Sequence, residues 1–430
     1  MDGNVKVAVI GAGWAGCAAA VEATRLGQQV TLFEAGRIAG GRARRVDGQW
    51  PDGTALPLDN GQHILIGAYT ETLRLMAELG LDVKTRLQRL PLTLQFPDGS
   101  GLAFPLLPTP LDAFAGIVRA RGWSWRDKLS LLRAATRWQL AGFRCAPDLS
   151  VAALCIKLTP AVMATLIDPL CVAALNTPAA RASAQVFLRV LRDSLFSRSG
   201  GSNLLLPRTD LSALLPDAAL AWLAQRGAEV RLGTRVQGLS PAAGGWQVDG
   251  EAFERVILAC PPREAARLAQ SAGLSCDRWV DRARALQFEA ITTVYLLSPG
   301  TRLAQPMLAL RAGAPEGDAP AQFVFDRGQL GGPDGLLAFV VSASQGDSAV
   351  LAQRVLLQAT QQLGLTAPQI VQTIVEKRAT FACLPGLLRP GLKVLPGLLA
   401  CGDHVDGPYP ATLEGAVRSG LQAARSLSKT

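Results

Sequence analysis

The hydrophobic positions of the first thirty-four residues form two short continuous runs with an amphipathic stretch between them. Val5 to Ile10 is β-branched and apolar, Cys17 to Leu26 repeats with helical period and stops at Gly27, and Val30 to Glu34 is apolar again. Continuous apolar runs of this length bounded by turn residues read as buried strands, so the order is strand, helix, strand. The turn between the first strand and the helix is Gly11-Ala12-Gly13-Trp14-Ala15-Gly16.

Further along, residues 36 to 61 are rich in Gly, Pro, Arg and Asp and read as loop. Tyr69 to Leu79 has helical periodicity, and Leu92 to Phe104 reads as a hairpin, two alternating stretches around Pro97-Asp98-Gly99. Residues 110 to 200 are helix-rich and Leu211 to Arg226 predicts a further helix. Strands are expected near Val230 to Leu232, Arg235 to Leu239, Trp246 to Val248 and Arg255 to Ala259. Ile291 to Leu297, Gln322 to Phe325, Leu336 to Ser342 and Ile370 to Phe381 are β-rich and enclose one helix near Ala349 to Leu363, the pattern of an antiparallel sheet. A last strand leads into Gly402-Asp403, and Ala411 to Leu427 predicts a terminal helix. No internal repeat or low-complexity tract interrupts this order.

The fold class expected is α/β: a Rossmann-type cofactor domain interleaved with a substrate domain built on an antiparallel sheet plus helices. The cofactor domain is assigned residues 1–66, 201–265 and 385–430, and the substrate domain residues 67–200, helical and membrane-facing, and 266–384.

At 430 residues the chain has ample length for a large core. Its net charge is +9, yet only 18% of residues are charged and 49% are hydrophobic, which argues against nucleic acid and toward an apolar ligand. Eight scattered cysteines without a Cys-x-x-Cys pair, and only two histidines, support neither a disulfide framework nor a metal site. Met1-Asp2-Gly3-Asn4 carries no basic signal-type segment, and no apolar run reaches the ~18 to 20 residues of a spanning helix. The expected location is the cytoplasm, peripherally associated with the inner face of the membrane.

Chemistry enters at the glycine turn. Gly11 permits the tight turn, Gly13 lets backbone approach a pyrophosphate, and Gly16 allows close helix packing, while the helix N-terminus offers free N–H groups. Glu34 closes the second strand, where a carboxylate accepts both hydroxyls of an adenosine ribose and repels a 2′-phosphate. Gly40-Gly41-Arg42 adds a second close backbone approach and a cationic fork, and Gly402-Asp403 supplies a carboxylate for a ribityl hydroxyl or the pyrophosphate region. These three elements together resemble the FAD-binding pattern of the amine oxidase and phytoene desaturase superfamily. The resemblance implies FAD as cofactor, with Trp14, Ala15, Ala35, Gly61, Gln62, His63 and Val236 also in the cofactor site. It also implies that the terminal helix, beginning at Thr412 and Leu413, aims its positive end at the flavin pyrimidine edge.

Leu58 to Leu75, Phe187 to Phe196 and Leu204 to Leu214 resemble the hydroxysqualene dehydroxylase family, squalene-associated flavoenzymes of bacterial hopanoid pathways. That resemblance implies reductive replacement of an allylic hydroxyl by hydrogen, an isoprenoid lipid substrate, and association with upstream enzymes of the same pathway. A poor leaving group needs a proton donor near the flavin. The candidates are His63, His404, Asp406 and Tyr409, with Asp59 as donor or orienter. A carotenoid-type desaturase would use the same fold, and a non-catalytic flavin-bound lipid-presenting protein is the alternative of another class. An amine oxidase fits less well, because only Tyr69, Tyr295 and Tyr409 could contribute tyrosine to an aromatic cage.

Between Arg119 and Arg144 seven basic residues and one acid are interleaved with Trp123, Trp125 and Trp138. On a helical projection Trp125, Leu129, Leu132, Leu140 and Phe143 share a face, with Arg126, Arg133, Arg137 and Arg144 beside it. This is the pattern of an interfacial anchor for anionic lipid; the alternative is a core-packed helix with snorkelling arginines.

Overall fold

β1 (Lys6–Ile10) and β2 (Gln29–Phe33) are buried from their second residue onward, as strands covered on both faces must be. In the computed structural model, which describes residues 5–196, 199–313 and 317–427, they are joined by α1 (Trp14–Arg25), buried from Trp14 to Ala23. The Met1 to Asn4 segment lies outside the described residues. The chain then forms the hairpin β3 (Arg45–Gln49) and β4 (Ala55–Asp59), the helix α2 (Thr70–Glu78), and a helical region containing α3 (Leu111–Arg119), α4 (Trp125–Leu140), α5 (Asp168–Leu175) and α6 (Ala184–Leu195). β5 (Glu229–Arg231), β6 (Arg255–Leu258) and α7 (Pro262–Ser271) follow. Next come β7 (Phe288–Leu297), β8 (Met307–Ala309), β9 (Phe323–Asp326), β10 (Leu336–Ser344), α8 (Ser348–Leu363) and β11 (Gln369–Phe381). β12 (Lys393–Leu395), β13 (Leu398–Ala400) and α9 (Leu413–Ser426) complete the fold.

The first sheet has the order β5-β2-β1-β6-β13-β12, parallel throughout except for β12 against β13. Its strands come from the beginning, the middle and the end of the sequence. The second sheet, β8-β9-β10-β7-β11, is antiparallel. Side-chain alternation divides its two faces: Val294, Leu296, Val324, Phe339 and Val341 pack with Leu351, Val355 and Ala359 of α8. Tyr295, Phe323, Phe325, Ala338 and Val340 point the other way, into a core shared with α4, α5 and α6.

Three local expectations need correction. The helix expected over Leu211 to Arg226 is two pieces, Leu211–Leu214 and Pro216–Ala224, because the residue before a proline is driven out of the helical region and Leu215 has φ −151°. The strand expected over Arg235 to Leu239 starts only at Leu239. The Asp249 carboxylate accepts from the backbone N–H of Gln237 and Gly238, taking donors that a strand would use. The loop expected over residues 36 to 61 holds the hairpin of β3 and β4, and β8 has no counterpart among the expected strands, since three residues carry no measurable alternation.

α1 and α9 pack across the first sheet at very close range. A Cβ added at Gly420 would lie 2.1 Å from the carbonyl oxygen of Ala15. Beside this contact the buried Glu414 carboxylate caps α2, accepting from the N–H of Glu71 and Thr72 and from the Thr72 hydroxyl, with Arg418 at 2.7 Å. Replacing Gly420 with Ala should force the two helices apart and lower stability by about 1–3 kcal/mol. A urea midpoint unchanged from the parent protein would contradict this packing.

Candidate functional site

The glycine turn has its shape for steric reasons. Gly11 has φ +112°, and a Cβ there would come within 2.7 Å of the Ala259 carbonyl oxygen; one at Gly16 would be 1.7 Å from that of Gly11. Gly13 pairs with Gly40 in an isolated parallel bridge, and the Gly40 N–H donates to the Ala12 carbonyl at 2.8 Å. Two loops therefore meet at glycines, Gly13 and Gly40, at the start of α1, whose N-terminus no side chain caps. Glu34 ends β2 with its carboxylate oriented by the N–H of Ala12 at 2.8 Å and of Gly36 at 2.7 Å.

Arg42 crosses from this loop to two other parts of the chain. Its guanidinium ion-pairs with Asp403 and donates to the Ala379 carbonyl of β11 at 2.8 Å. Burial opposes the charge on Asp403, but Arg42 and His404 outweigh it and hold the carboxyl far below the usual range. His404 is 2% exposed, with Nδ1 3.9 Å from Asp403, and its Nε2 has no partner among the described residues.

A second polar network lies behind the Gly61-Gln62-His63 segment. The Tyr295 hydroxyl donates to the Asp59 carbonyl at 2.8 Å and accepts from the Gln62 amide at 2.9 Å. Arg327 donates to the Gln62 side-chain Oε1 at 3.2 Å and lies 3.8 Å from the Asp59 carboxylate. Burial pushes the Asp59 carboxyl up to about 6, against the pull of Arg327 and the Leu211 N–H. Burial, with the neighbouring Arg42 charge, pushes His63 down to about 4. His63 is thus a neutral imidazole at ordinary pH.

All of these loops open on one cleft of about 910 Å³. Of the residues expected at the cofactor, every one except Gly16 lines it, and Gly16 instead packs the turn. His63, His404 and Tyr409 line it as well. Asp406 does not: its side chain is 73% exposed and turned to Arg389 at 3.2 Å, because the Asp-Gly-Pro turn carries it to the surface. Asp59 sits behind the lining, committed to the Leu211 N–H at 2.8 Å. The same cleft continues along an apolar wall made by Leu170, Leu191, Ile291, Phe323, Phe325 and Val340.

Sequence reasoning missed Arg327, the structural part of Tyr295, and Asp193, a buried acid that lines the cleft. Arg327 carries no local signal. Asp193 lies within the Phe187 to Phe196 segment, and an acid on the apolar face of a helix was a readable sign.

A dinucleotide-sized group fits these residues. The glycines where the loops meet leave room for backbone contact with phosphate, the α1 amides face the opening, and the orphaned His404 Nε2 awaits a hydrogen-bonding partner. Two sheets, a nucleotide turn and a shared cleft define a two-lobed flavoprotein oxidoreductase. The sequence model described as flavin containing amine oxidoreductase matches residues 14–428. Hydroxysqualene dehydroxylase of Rhodopseudomonas palustris is 31% identical, covering 97% of each chain, and that of Sinorhizobium fredii 28% identical, covering 99% of each. Zeta-carotene desaturase of Synechocystis sp. is 37% identical over 84 residues, 20% of this chain and 16% of that one. Among solved structures, an oxidoreductase from Methanosarcina mazei superposes with a TM-score of 0.73 at 16% identity, covering 99% of this chain and 100% of that one. The chain belongs to the flavin containing amine oxidoreductase family and, within it, to the hydroxysqualene dehydroxylase group. It is a flavin-dependent oxidoreductase.

With two histidines in the chain, His63 can be followed by ring-proton NMR. Its titration midpoint should lie near 4; a midpoint at 6 or above would show that water and a counter-charge reach the ring.

Proposed function

We propose that the protein binds FAD and reductively removes the allylic hydroxyl of hydroxysqualene to give squalene. The observation that carries this reading is the continuity of the cleft, in which nucleotide-binding loops open directly onto an apolar wall. Glu34 would hold the adenosine ribose, the amides of Gly13, Trp14 and Ala15 with Arg42 the pyrophosphate, and Asp403 the ribityl side. Val236 would contact adenine through its backbone. Thr412 and Leu413 begin α9, whose N-terminal end would favour negative charge on the flavin ring. When bound and reduced, the flavin would supply the hydride, while the hydroxyl takes up a proton and leaves as water.

The chain's own contribution is orientation and water exclusion. The Asp59, Gln62, Tyr295 and Arg327 network fixes the His63 segment against the cleft. The apolar wall accepts hydrocarbon without unsatisfied polar groups. In the test, purified protein should release FAD on denaturation. Mixed anaerobically with hydroxysqualene after reduction, it should reoxidise and form squalene. If no reoxidation occurs and no squalene forms, the dehydroxylase is excluded, and a dehydrogenated product formed by the oxidised protein would point to a desaturase.

A water-insoluble substrate calls for contact with a bilayer, and the exposed face of α3 and α4 has the right chemistry for an anionic one. Leu111 is 58% exposed, Phe114 55%, Trp125 65% and Leu140 85%, while Leu131, Ala134 and Trp138 form the buried stripe of α4. Of the face expected on the helical projection, Trp125, Leu129 and Leu140 are exposed while Leu132 and Phe143 are partly buried against the core, where Trp123 and Trp138 also lie. Arg126, Arg133 and Arg137 are exposed next to the apolar residues. Among the described residues no helix is long and apolar enough to cross a membrane, so contact would be interfacial. Charge reversal at all three arginines should weaken cosedimentation with anionic vesicles several-fold while the flavin spectrum stays as in the parent. Undiminished cosedimentation would refute this docking face.

A further inference from the structure

Thr234 to Gly238 has no regular secondary structure, yet Thr234, Arg235 and Val236 line the cleft together with Glu34. A segment without a strand partner has to find other hydrogen bonds for its peptides. Its near end uses the nucleotide loop: the Gly233 N–H donates to the Gly36 carbonyl at 2.8 Å and the Thr234 N–H to that of Glu34 at 2.8 Å. Beyond Val236 one pair of side chains takes over. Arg267, on α7, donates to the Val236 carbonyl at 3.0 Å and to the Gln237 carbonyl at 2.6 Å. Asp249, in the turn of the hairpin formed by Gly245–Val248 and Glu251–Phe253, accepts from the Gln237 N–H at 3.0 Å and the Gly238 N–H at 2.8 Å. Two consecutive peptides therefore have both of their polar groups occupied.

Arg267 is itself held. It meets the Glu264 carboxylate one helical turn earlier at 3.1 Å through Nε and 2.7 Å through a terminal nitrogen. Four hydrogen bonds drawn from one planar fork leave the guanidinium little freedom. One polar group of the segment is left over. Val236 is 3% exposed, and its N–H has no hydrogen-bond partner among the described residues. A buried amide in that state is costly unless a ligand completes it. Glu34 would hold the adenosine ribose, so the base carried by that ribose falls to the neighbouring wall of Thr234 to Val236. Adenine offers an unprotonated N1, an acceptor for such an amide.

We infer that Arg267 and Asp249 form a clamp on the peptides next to Val236, and that the clamp makes the Val236 N–H a reader of the adenine N1 acceptor. Hypoxanthine carries a proton on N1, so the same amide would meet a donor and remain unpaired. This inference rests on the proposed FAD reading and adds to it two positioning residues and the basis of a base preference. Neither side chain takes part in the chemistry at the flavin ring.

The test compares cofactors and needs no turnover. Full-length protein is equilibrated with a large excess of an equimolar mixture of FAD, deamino-FAD (hypoxanthine in place of adenine) and FMN, freed of unbound flavin by gel filtration and denatured. The released flavins are then quantified by chromatography. The parent protein should take up FAD over deamino-FAD by at least about tenfold. Arg267→Met should bring that ratio to within about threefold of unity. Asp249→Gly, which suits the φ of +49° at this position but has no carboxylate, should do the same. Asp249→Asn, whose amide oxygen still accepts, should keep most of the preference. A merely structural role for Arg267 would lower uptake of both dinucleotides together and leave their ratio unmoved, which would overturn the clamp. Should Arg267→Met not fold, an unmoved ratio in Asp249→Gly overturns it equally. Equal uptake of FAD and deamino-FAD by the parent protein, with FMN excluded, would overturn the reading of N1 by Val236 and leave the FAD site standing. A parent protein that takes up FMN as readily as either dinucleotide would overturn the FAD reading itself.

Discussion

One guanidinium ties three distant parts of the chain together at the cleft. Arg42 leaves the second glycine loop, ion-pairs with Asp403 near the C-terminal end, and donates to the Ala379 carbonyl on the edge strand of the antiparallel sheet. Taking a cation and an anion out of water costs several kcal/mol per ion unless each is paired and hydrogen-bonded. The pair is therefore tolerable only when all three segments are in place. Truncating Arg42 would leave the buried Asp403 carboxylate unmatched, and the geometry around the nucleotide loops, the His404 ring and β11 would lose its common reference.

The antiparallel sheet does two jobs with its two faces. One face buries Val294, Val324, Phe339 and Val341 under α8 and needs nothing more than complementary volume. The other presents Phe323, Phe325 and Val340 to the cleft, where those side chains form part of its apolar wall. A one-residue slip in register would exchange the two sets, so the packing of α8 fixes the lining of the cleft indirectly.

Buried polar groups mark where the hydrophobic sheet meets the polar cofactor loops. Tyr295 sits on β7 among apolar neighbours and uses its hydroxyl to satisfy Asp59 and Gln62 on the first lobe. Arg327 extends this link from the end of β9, and Asp59 in turn receives the Leu211 N–H. In a low-dielectric setting such a network either satisfies every member or destabilises the fold. Here it holds the His63 segment by hydrogen bonds that span both lobes. The low basicity of His63 follows from the protein packed around the ring and from the nearby Arg42 charge.

Local chemistry was enough to read the glycine turn, Glu34, Arg42 and Asp403, because each acts through a backbone freedom or a charge tied to one position in a strand-turn-helix order. Periodicity was enough for four of the five strands of the antiparallel sheet and for the terminal helix, but not for the three-residue β8. It failed at Leu215, where a proline breaks the helix, and at Gln237, where an Asp249 side chain from elsewhere takes the strand's donors. Tertiary structure alone decided which alternating face meets the cleft, that Asp406 turns outward while Asp193 turns in, and that Trp138 is core while Trp125 is exposed. The physical reason is that charge and turn propensity belong to single residues, whereas burial and hydrogen-bond partnership are properties of pairs brought together by chain segments hundreds of residues apart.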